Sequence, residues 1–250
     1  YAKNDQRIHL VQNDTRLGLA ESLNKGFCLA TGEYFARLDA DDLAHRERFE
    51  RQVELMDANP KVGICGTYQH HFGDGVDWTH CPPITNDECR ARLLFNCDLC
   101  HSTLMLRRDV VLKNRLFYDN SYKAEDFELW CRAMTVTEIV NIPEILGEYR
   151  WDGDNITAAK KAALNIESGH LVANNLRRVY GMQLSEEETS LFEGWENPFD
   201  KLPDDTRTQS LLKFEKVLRE IYKRNHINRF VTDSAMLNSL ARKWRWAKYN

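Results

Sequence analysis

Apolar residues recur along this chain in two rhythms, and the loss of one of them divides it. Ile8 and Leu10 alternate with their neighbours between Arg7 and Gln12, which reads as a strand. From Gly18 to Ala30, Leu19, Leu23 and Phe27 share one helical face, with Thr31-Gly32 as the stop. Glu33 to Leu38 is a short apolar run of strand type. His45 to Ala58 is helical, with Phe49, Val53 and Met56 expected inward and Asn59-Pro60 as its end. Val62 to Tyr68 reads as a strand leading to a hairpin turn at Phe72-Gly73-Asp74-Gly75. Beyond Thr85 the pattern predicts a helix over 87–95, a strand over 102–106, a helix over 124–134 and a strand over 138–142, punctuated by Pro82-Pro83 and Pro143. Alternating strands and helices predict an α/β fold with a mostly parallel sheet flanked by helices. After Asn155 only the helical rhythm remains. It covers 158–180, then Leu211, Phe214, Leu218 and Ile221, then a last helix from Asp233. The predicted division is a sheet-bearing domain over 1–157 and an all-helical C-terminal extension over 158–250.

With 250 residues, 42% hydrophobic and 29% charged, the chain can bury a core of ordinary globular kind. No run of 18 apolar residues exists, so no transmembrane helix is expected. Seven scattered cysteines read as reduced thiols of a cytoplasmic protein. Cys97-Asp98-Leu99-Cys100-His101 matches the C-x-x-C-H string of haem attachment, but nothing else supports haem. A zinc site on Cys97 and Cys100 lacks an evident second pair, though Cys81 and Cys89 are present. Net charge is −4, yet residues 206–250 carry 11 Lys/Arg against 3 Asp/Glu, a net of +8, which leaves −12 on residues 1–205. The acidic body argues against a nucleic-acid partner. In the basic tail, Trp244-Arg245-Trp246-Ala247-Lys248-Tyr249 mixes aromatics with cations. That composition suits peripheral contact with a membrane face through residues 240–250, or a helix packing its tryptophans on the body.

Candidate chemistry concentrates at two places. The run Tyr34-Phe35-Ala36-Arg37-Leu38 ends in Asp39-Ala40-Asp41-Asp42. Asp39 and Asp41 share strand parity, and carboxylates so crowded repel unless a cation intervenes. Mg²⁺ binds through one or two carboxylates together with substrate phosphates, so a metal–diphosphate site is one reading. An acidic turn capping the next helix, with Asp42 as N-cap, is the other. The second place is Glu125-Asp126 at a helix start beside Phe127 and Trp130. Shielding there would raise the Asp126 pKa towards that of a general base, while both acids also suit a helix N-terminus through its dipole.

Four ordered stretches carry a resemblance. They are Asn13-Asp14-Thr15-Arg16-Leu17-Gly18-Leu19-Ala20 with Leu23-Asn24-Lys25-Gly26; Gly32-Glu33-Tyr34 leading to Asp39-Ala40-Asp41-Asp42, then Arg48 and Gln52; His101-Ser102-Thr103 with Arg107-Arg108; and Ala124-Glu125-Asp126-Phe127-Glu128-Leu129-Trp130, followed by Tyr149-Arg150 and Asp154-Asn155. The stretch from Arg7 to about Asn155 resembles the family 2 glycosyltransferases, which have the GT-A fold. That resemblance implies a metal-dependent, inverting transfer of a sugar from a nucleoside-diphosphate sugar, such as a UDP-sugar, to a glycan or lipid-linked acceptor hydroxyl in cell-surface polysaccharide assembly.

It further implies Mn²⁺ or Mg²⁺ held by Asp41, with Asp39 on the ribose or a metal-bound water. Asp126 becomes the base, with Glu125 as orienter or stand-in. Asn24 and Arg37 lie where relatives contact the nucleotide or support the cleft floor, and each is equally explained as a hydrogen-bonding residue of the sheet edge. Arg150 is a candidate diphosphate donor or a surface ion pair, and His101 an acceptor contact or an interior histidine. Many relatives place a histidine where Trp151-Asp152 stands, which makes Asp152 a candidate oxygen ligand. Relatives usually begin with a nucleotide-binding strand, loop and helix, so a chain opening at Tyr1-Ala2-Lys3 is expected to lack that half-site. A nucleotidyltransferase of related α/β fold and an inactive nucleotide- or glycan-binding fragment stay open as alternatives.

Overall fold

The computed structural model describes residues 2–151, 161–194, 197–200 and 202–249. Among them, strands β1 (Tyr34–Ala36), β2 (Leu43–Ala44), β3 (Val62–Gly73), β4 (Val76–His80), β5 (Met105–Arg107) and β6 (Glu138–Trp151) form one sheet. Its order is β1-β5-β3-β6-β2, with β4 pairing the free stretch of β3. The helices of the first part are α1 (Leu19–Leu29), α2 (Arg48–Ala58), α3 (Asn86–Leu93), α4 (Arg108–Lys113) and α5 (Glu125–Ala133). Helices α6 (Lys161–Tyr180), α7 (Glu186–Ser190), α8 (Asp204–Asn228) and α9 (Asp233–Tyr249) follow. No strand occurs after Trp151 among the described residues. No helix among them is long and apolar enough to cross a membrane.

The sheet is mixed rather than mostly parallel. Only β3–β6 runs parallel; β1–β5, β3–β5, β3–β4 and β2–β6 are antiparallel. Alternation along the central strands sorts the core. Ile64, Leu106 and Ile139 face the helix-rich side, and Cys65, Met105 and Val140 face α2. The larger cluster is continuous from Phe27 and Trp130 to Leu176, Phe214 and Met236, so α6, α8 and α9 pack on the same core as α1 and α5.

Polar ties accompany the packing at the end of α3. Asn175 Nδ2 donates to the Leu93 carbonyl at 3.1 Å, and Ser239 Oγ to the Ala91 carbonyl at 2.8 Å. Trp244 and Trp246 pack against the core, while Arg242, Arg245, Lys248 and Tyr249 are exposed on α9.

Three local expectations differ from the structure. Residues 7–12 form no strand: Ile8, Leu10 and Val11 are exposed and pair with nothing in the sheet. β6 does not stop at Ile142 but continues to Trp151. Thr67 is opposite Ile142 and Tyr68 opposite Ile145, so Pro143 and Glu144 sit in an irregularity that spares the proline a ladder hydrogen bond. In α2 the buried face is Arg48, Gln52 and Met56, and Phe49 is 52% exposed.

The β3–β4 hairpin turns at Gly73-Asp74-Gly75, where Gly73 and Gly75 have φ of 127° and 73°, a backbone that favours glycine. A Cβ on Gly73 would also strike the Trp151 carbonyl.

Candidate active site

The acidic run leaves the sheet where β1 runs out of partners. Arg37 still donates its backbone N–H to the Leu104 carbonyl at 3.0 Å, and its own carbonyl accepts from Arg48 Nη2 at 2.8 Å. Arg48 is fully buried, and burial pushes its pKa down to about 10. One turn on, Gln52 accepts from Arg48 Nε at 3.1 Å and donates to the Cys65 and Thr103 carbonyls at 2.7 and 2.9 Å. Arg48 and Gln52 thus satisfy backbone acceptors just after β1, within β3 and just before β5, next to the acidic loop.

The three aspartates are held differently. Asp39 pairs with Arg37 at 2.6 Å and Asp41 is exposed. Asp42 is buried and accepts the Arg150 N–H at 3.0 Å. Burial raises the Asp42 pKa, against the pull of Ser102 and the Arg150 N–H. It does not cap α2, whose N-cap is Glu47. Arg150 clamps the loop from behind: its Nε donates to the Asp41 carbonyl at 3.2 Å and its guanidinium lies 4.8 Å from the Phe72 ring centroid.

The second acidic place begins α5. The backbone N–H groups of Lys123 and Ala124 donate to Glu167 of α6 at 2.9 and 2.6 Å, and buried Phe127, Leu129 and Trp130 fix the rotation of the helix. Asp126 Oδ1 accepts the Phe127 N–H at 2.7 Å, while Oδ2 lies 3.6 Å from Cys97 Sγ and 3.7 Å from His101 Nδ1. Burial raises the Asp126 pKa, and the Phe127 N–H and Arg37 oppose it only in part. His101 Nε2 and the Tyr118 hydroxyl are 2.7 Å apart. Burial, and then Arg37, pushes His101 well below its ordinary pKa, so the imidazole is neutral. The tautomer in which Tyr118 donates to Nε2 leaves an Nδ1 proton facing Asp126.

Both places open on one cavity of about 790 Å³. Arg37, Asp39, Asp41, His101, Glu125 and Asp126 all line it, with Ser168 and Gly194 contributed by the helical part. Arg37 is nearly enclosed, and its Nε and Nη1 find no partner among the described residues. Two buried donors without acceptors on a cavity wall suit an anionic ligand oxygen. Asn24 is elsewhere: its amide donates to the Tyr118 carbonyl and accepts the Tyr118 N–H, both at 2.8 Å, tying α1 to the strand-like segment below His101. Arg150 reaches the loop rather than the cavity. Asp152 lies outside the described residues. Sequence reasoning passed over Gln69, His71, His80 and Lys123, which also line the cavity. The alternation of His71 with Gln69, and of His80 with Trp78, was the available signal.

Among the described residues no group of three or more His, Cys, Asp or Glu side chains gathers as a metal cage. The donor set nonetheless fits a hard cation shared with phosphates, which needs only one or two carboxylates. Asp39, Asp41, Glu125 and Asp126 outnumber Arg37 and Lys123 on the cavity wall, so a diphosphate entering alone would meet net repulsion.

Residues 1–116 match the family model described as Glycosyl transferase family 2. The likeness to that family extends over a little under half of the chain. An uncharacterized glycosyltransferase of Haemophilus influenzae is 31% identical over 170 residues, 63% of this chain and 52% of the relative. The chain thus spans about half the length of that protein. The Escherichia coli UDP-Glc:alpha-D-GlcNAc-diphosphoundecaprenol beta-1,3-glucosyltransferase WfgD is 28% identical over 183 residues, 70% of each chain. Among solved structures, S. aureus TarS 1-349 in complex with UDP-GlcNAc superposes with a TM-score of 0.55 at 12% identity, over 92% of this chain and 71% of that one. That likeness is one of fold, an α/β sheet of GT-A type with a helical C-terminal region.

Proposed function

We propose that this chain transfers a sugar, with inversion, from a nucleoside-diphosphate sugar to a hydroxyl of a glycan or lipid-linked acceptor, in the assembly of a surface polysaccharide. The observation that carries the reading is the shared cavity: the acidic loop at Asp39 and Asp41 and the half-buried carboxylate of Asp126 line the same space, with the Arg37 donors that have no partner among the described residues. Asp126 is the base. Its carboxylate takes the acceptor O–H proton as the acceptor oxygen bonds to the anomeric carbon, and the bond from that carbon to the diphosphate breaks with the electron pair leaving on the phosphate oxygen. His101, neutral and bonded to Tyr118, orients Asp126, and Glu125 stands beside it as a second acid. Arg37 binds the anionic donor. Asp41 and Asp39 are the residues that would hold Mg²⁺ or Mn²⁺, which when bound supplies Lewis-acid stabilisation to the departing diphosphate.

The WfgD relative, whose name specifies UDP-Glc and a diphosphoundecaprenol-linked acceptor, supports a UDP-sugar donor and a lipid-linked acceptor. A lipid-linked acceptor calls for contact with a membrane face. On α9 that contact falls to Arg242, Arg245 and Lys248, since both tryptophans pack inward. Liposome sedimentation of a variant with all three changed to Ala tests this, and unchanged pelleting with anionic vesicles would end it. The main test is calorimetric titration of UDP-sugars with Mn²⁺, followed by turnover assays. Loss of binding in Asp41→Ala, with loss of turnover but retained binding in Asp126→Asn, is the expected outcome. Binding without any turnover by the unaltered chain would reduce the reading to nucleotide or glycan binding.

A further inference from the structure

The hairpin and β6 set aromatic rings in register. His71 is opposite Trp78 across the antiparallel β3–β4 pair and opposite Tyr149 across the parallel β3–β6 pair, so the three side chains leave one face of the sheet as a row. The rings touch accordingly. His71 and Trp78 stack with centroids 4.1 Å apart, and His71 and Tyr149 are 5.0 Å apart. His80, two residues from Trp78, meets that indole edge-on at 5.9 Å. Tyr149, His71 and His80 line the cavity, whereas Trp78 is 50% exposed, so the row runs from the cavity out to the surface.

Two of its features serve no evident folding purpose. A tryptophan is stacked on a hairpin with half its surface in water, and His71 Nδ1 is buried without a hydrogen-bond partner among the described residues. Burial, with His80 and His70 nearby, pushes His71 down to about 4, so its imidazole is uncharged near neutrality. Flat apolar ring faces with an unused polar atom at the edge match a pyranose, which has a C–H face to stack and hydroxyls to bond.

The row also belongs to the base's side of the site. His80 Nε2 is 3.1 Å from the Asp98 carbonyl, next to Cys97, whose Sγ contacts Asp126. The intervening positions Phe72 and Arg150 point to the opposite face and hold the acidic loop. We propose that Tyr149, His71 and Trp78 form a carbohydrate subsite for a second sugar ring of the acceptor, so that acceptors of at least two sugar units are bound best. This rests on the reading of the cavity as the place of sugar transfer.

The test uses saturation-transfer NMR with a fixed panel of methyl glycosides and disaccharides of glucose, galactose and N-acetylglucosamine, together with calorimetric titration of UDP and Mn²⁺. At least one disaccharide should bind the unaltered protein more tightly than its component methyl glycoside. Trp78→Ala should weaken that disaccharide about tenfold and Trp78→Phe restore most of it, with UDP affinity and melting unchanged. No disaccharide binding by the unaltered protein, equal binding by Trp78→Ala, or a loss in Trp78→Ala that falls on UDP instead would overturn the subsite. Absence of UDP binding in the unaltered protein would count against sugar transfer itself, and is read separately from the disaccharide result.

Discussion

The acidic loop after β1 and the acidic start of α5 carry the same functional group and give it different surroundings. Asp39 and Asp41 lie on a turn, held through their backbone and through Arg37 and Arg150, with Asp41 open to solvent. Asp126 sits against Phe127 and Cys97, and its pKa is raised by burial. On the proposed reading the contrast separates two tasks. A carboxylate that shares a cation must be reachable and braced from behind, whereas one that accepts a proton gains from partial burial against apolar neighbours.

The contrast can be broken most severely at Asp126. Asp126→Asn should lower turnover by about 10²–10⁴-fold with donor affinity retained, measured by steady-state rates beside calorimetry. Its melting temperature should not fall, because the amide oxygen can still accept the Phe127 N–H while no charge is enclosed. A smaller effect is expected at the brace of the loop. Arg48→Ala strips partners from the Arg37 and Leu104 carbonyls and from Gln52, and should cost about 2–4 kcal/mol in denaturant unfolding. Its donor affinity should fall as well, since the loop is set by that support. Asp41→Ala should weaken Mn²⁺-dependent UDP binding by about tenfold or more and leave melting unchanged, the reverse of Arg48→Ala in its effect on the fold.

The pH profile sharpens the same comparison. Because burial raises the Asp126 pKa, the proposed base is lost as pH falls through a value above the ordinary aspartate range, and the acid limb of kcat/KM should lie there. For the fold the sign is opposite. The folded state holds that proton more tightly than the unfolded chain, so stability declines as pH rises through the same window. Buried Asp42 contributes in the same direction, so Asp126→Asn should flatten the pH dependence of melting only in part. The smallest effect is expected at Arg51, whose exposed pair with Glu144 touches neither place: Arg51→Ala should change neither melting nor turnover measurably.

Much of this arrangement could be read before any coordinates. The apolar run into Asp39-Ala40-Asp41-Asp42 and the Glu125-Asp126 box are local patterns, and α1, α5 and the hairpin turn fall where periodicity puts them. What escaped was non-local. Helix α2 buries Arg48 and Gln52, which donate to the carbonyls of Arg37 after β1, Cys65 in β3 and Thr103 before β5, a demand that no hydrophobic rhythm encodes. Strand direction was misjudged because alternating elements suggest crossovers, whereas β1 and β4 each return beside their partners antiparallel. The extent of β6 was hidden by Pro143, which the irregularity opposite Tyr68 absorbs. The grouping of His71, Trp78 and Tyr149 exists only in the register of three strands.

The end of α3 imposes an order on biosynthesis. Its Leu93 and Ala91 carbonyls find their donors at Asn175 and Ser239, which follow 82 and 148 residues later in the chain. A nascent polypeptide therefore carries those acceptors hydrated until the final helices emerge from the ribosome, and contacts so distant in sequence are slow to close. Chains released before Asn175 would present a wet seam where the finished protein has a sealed one.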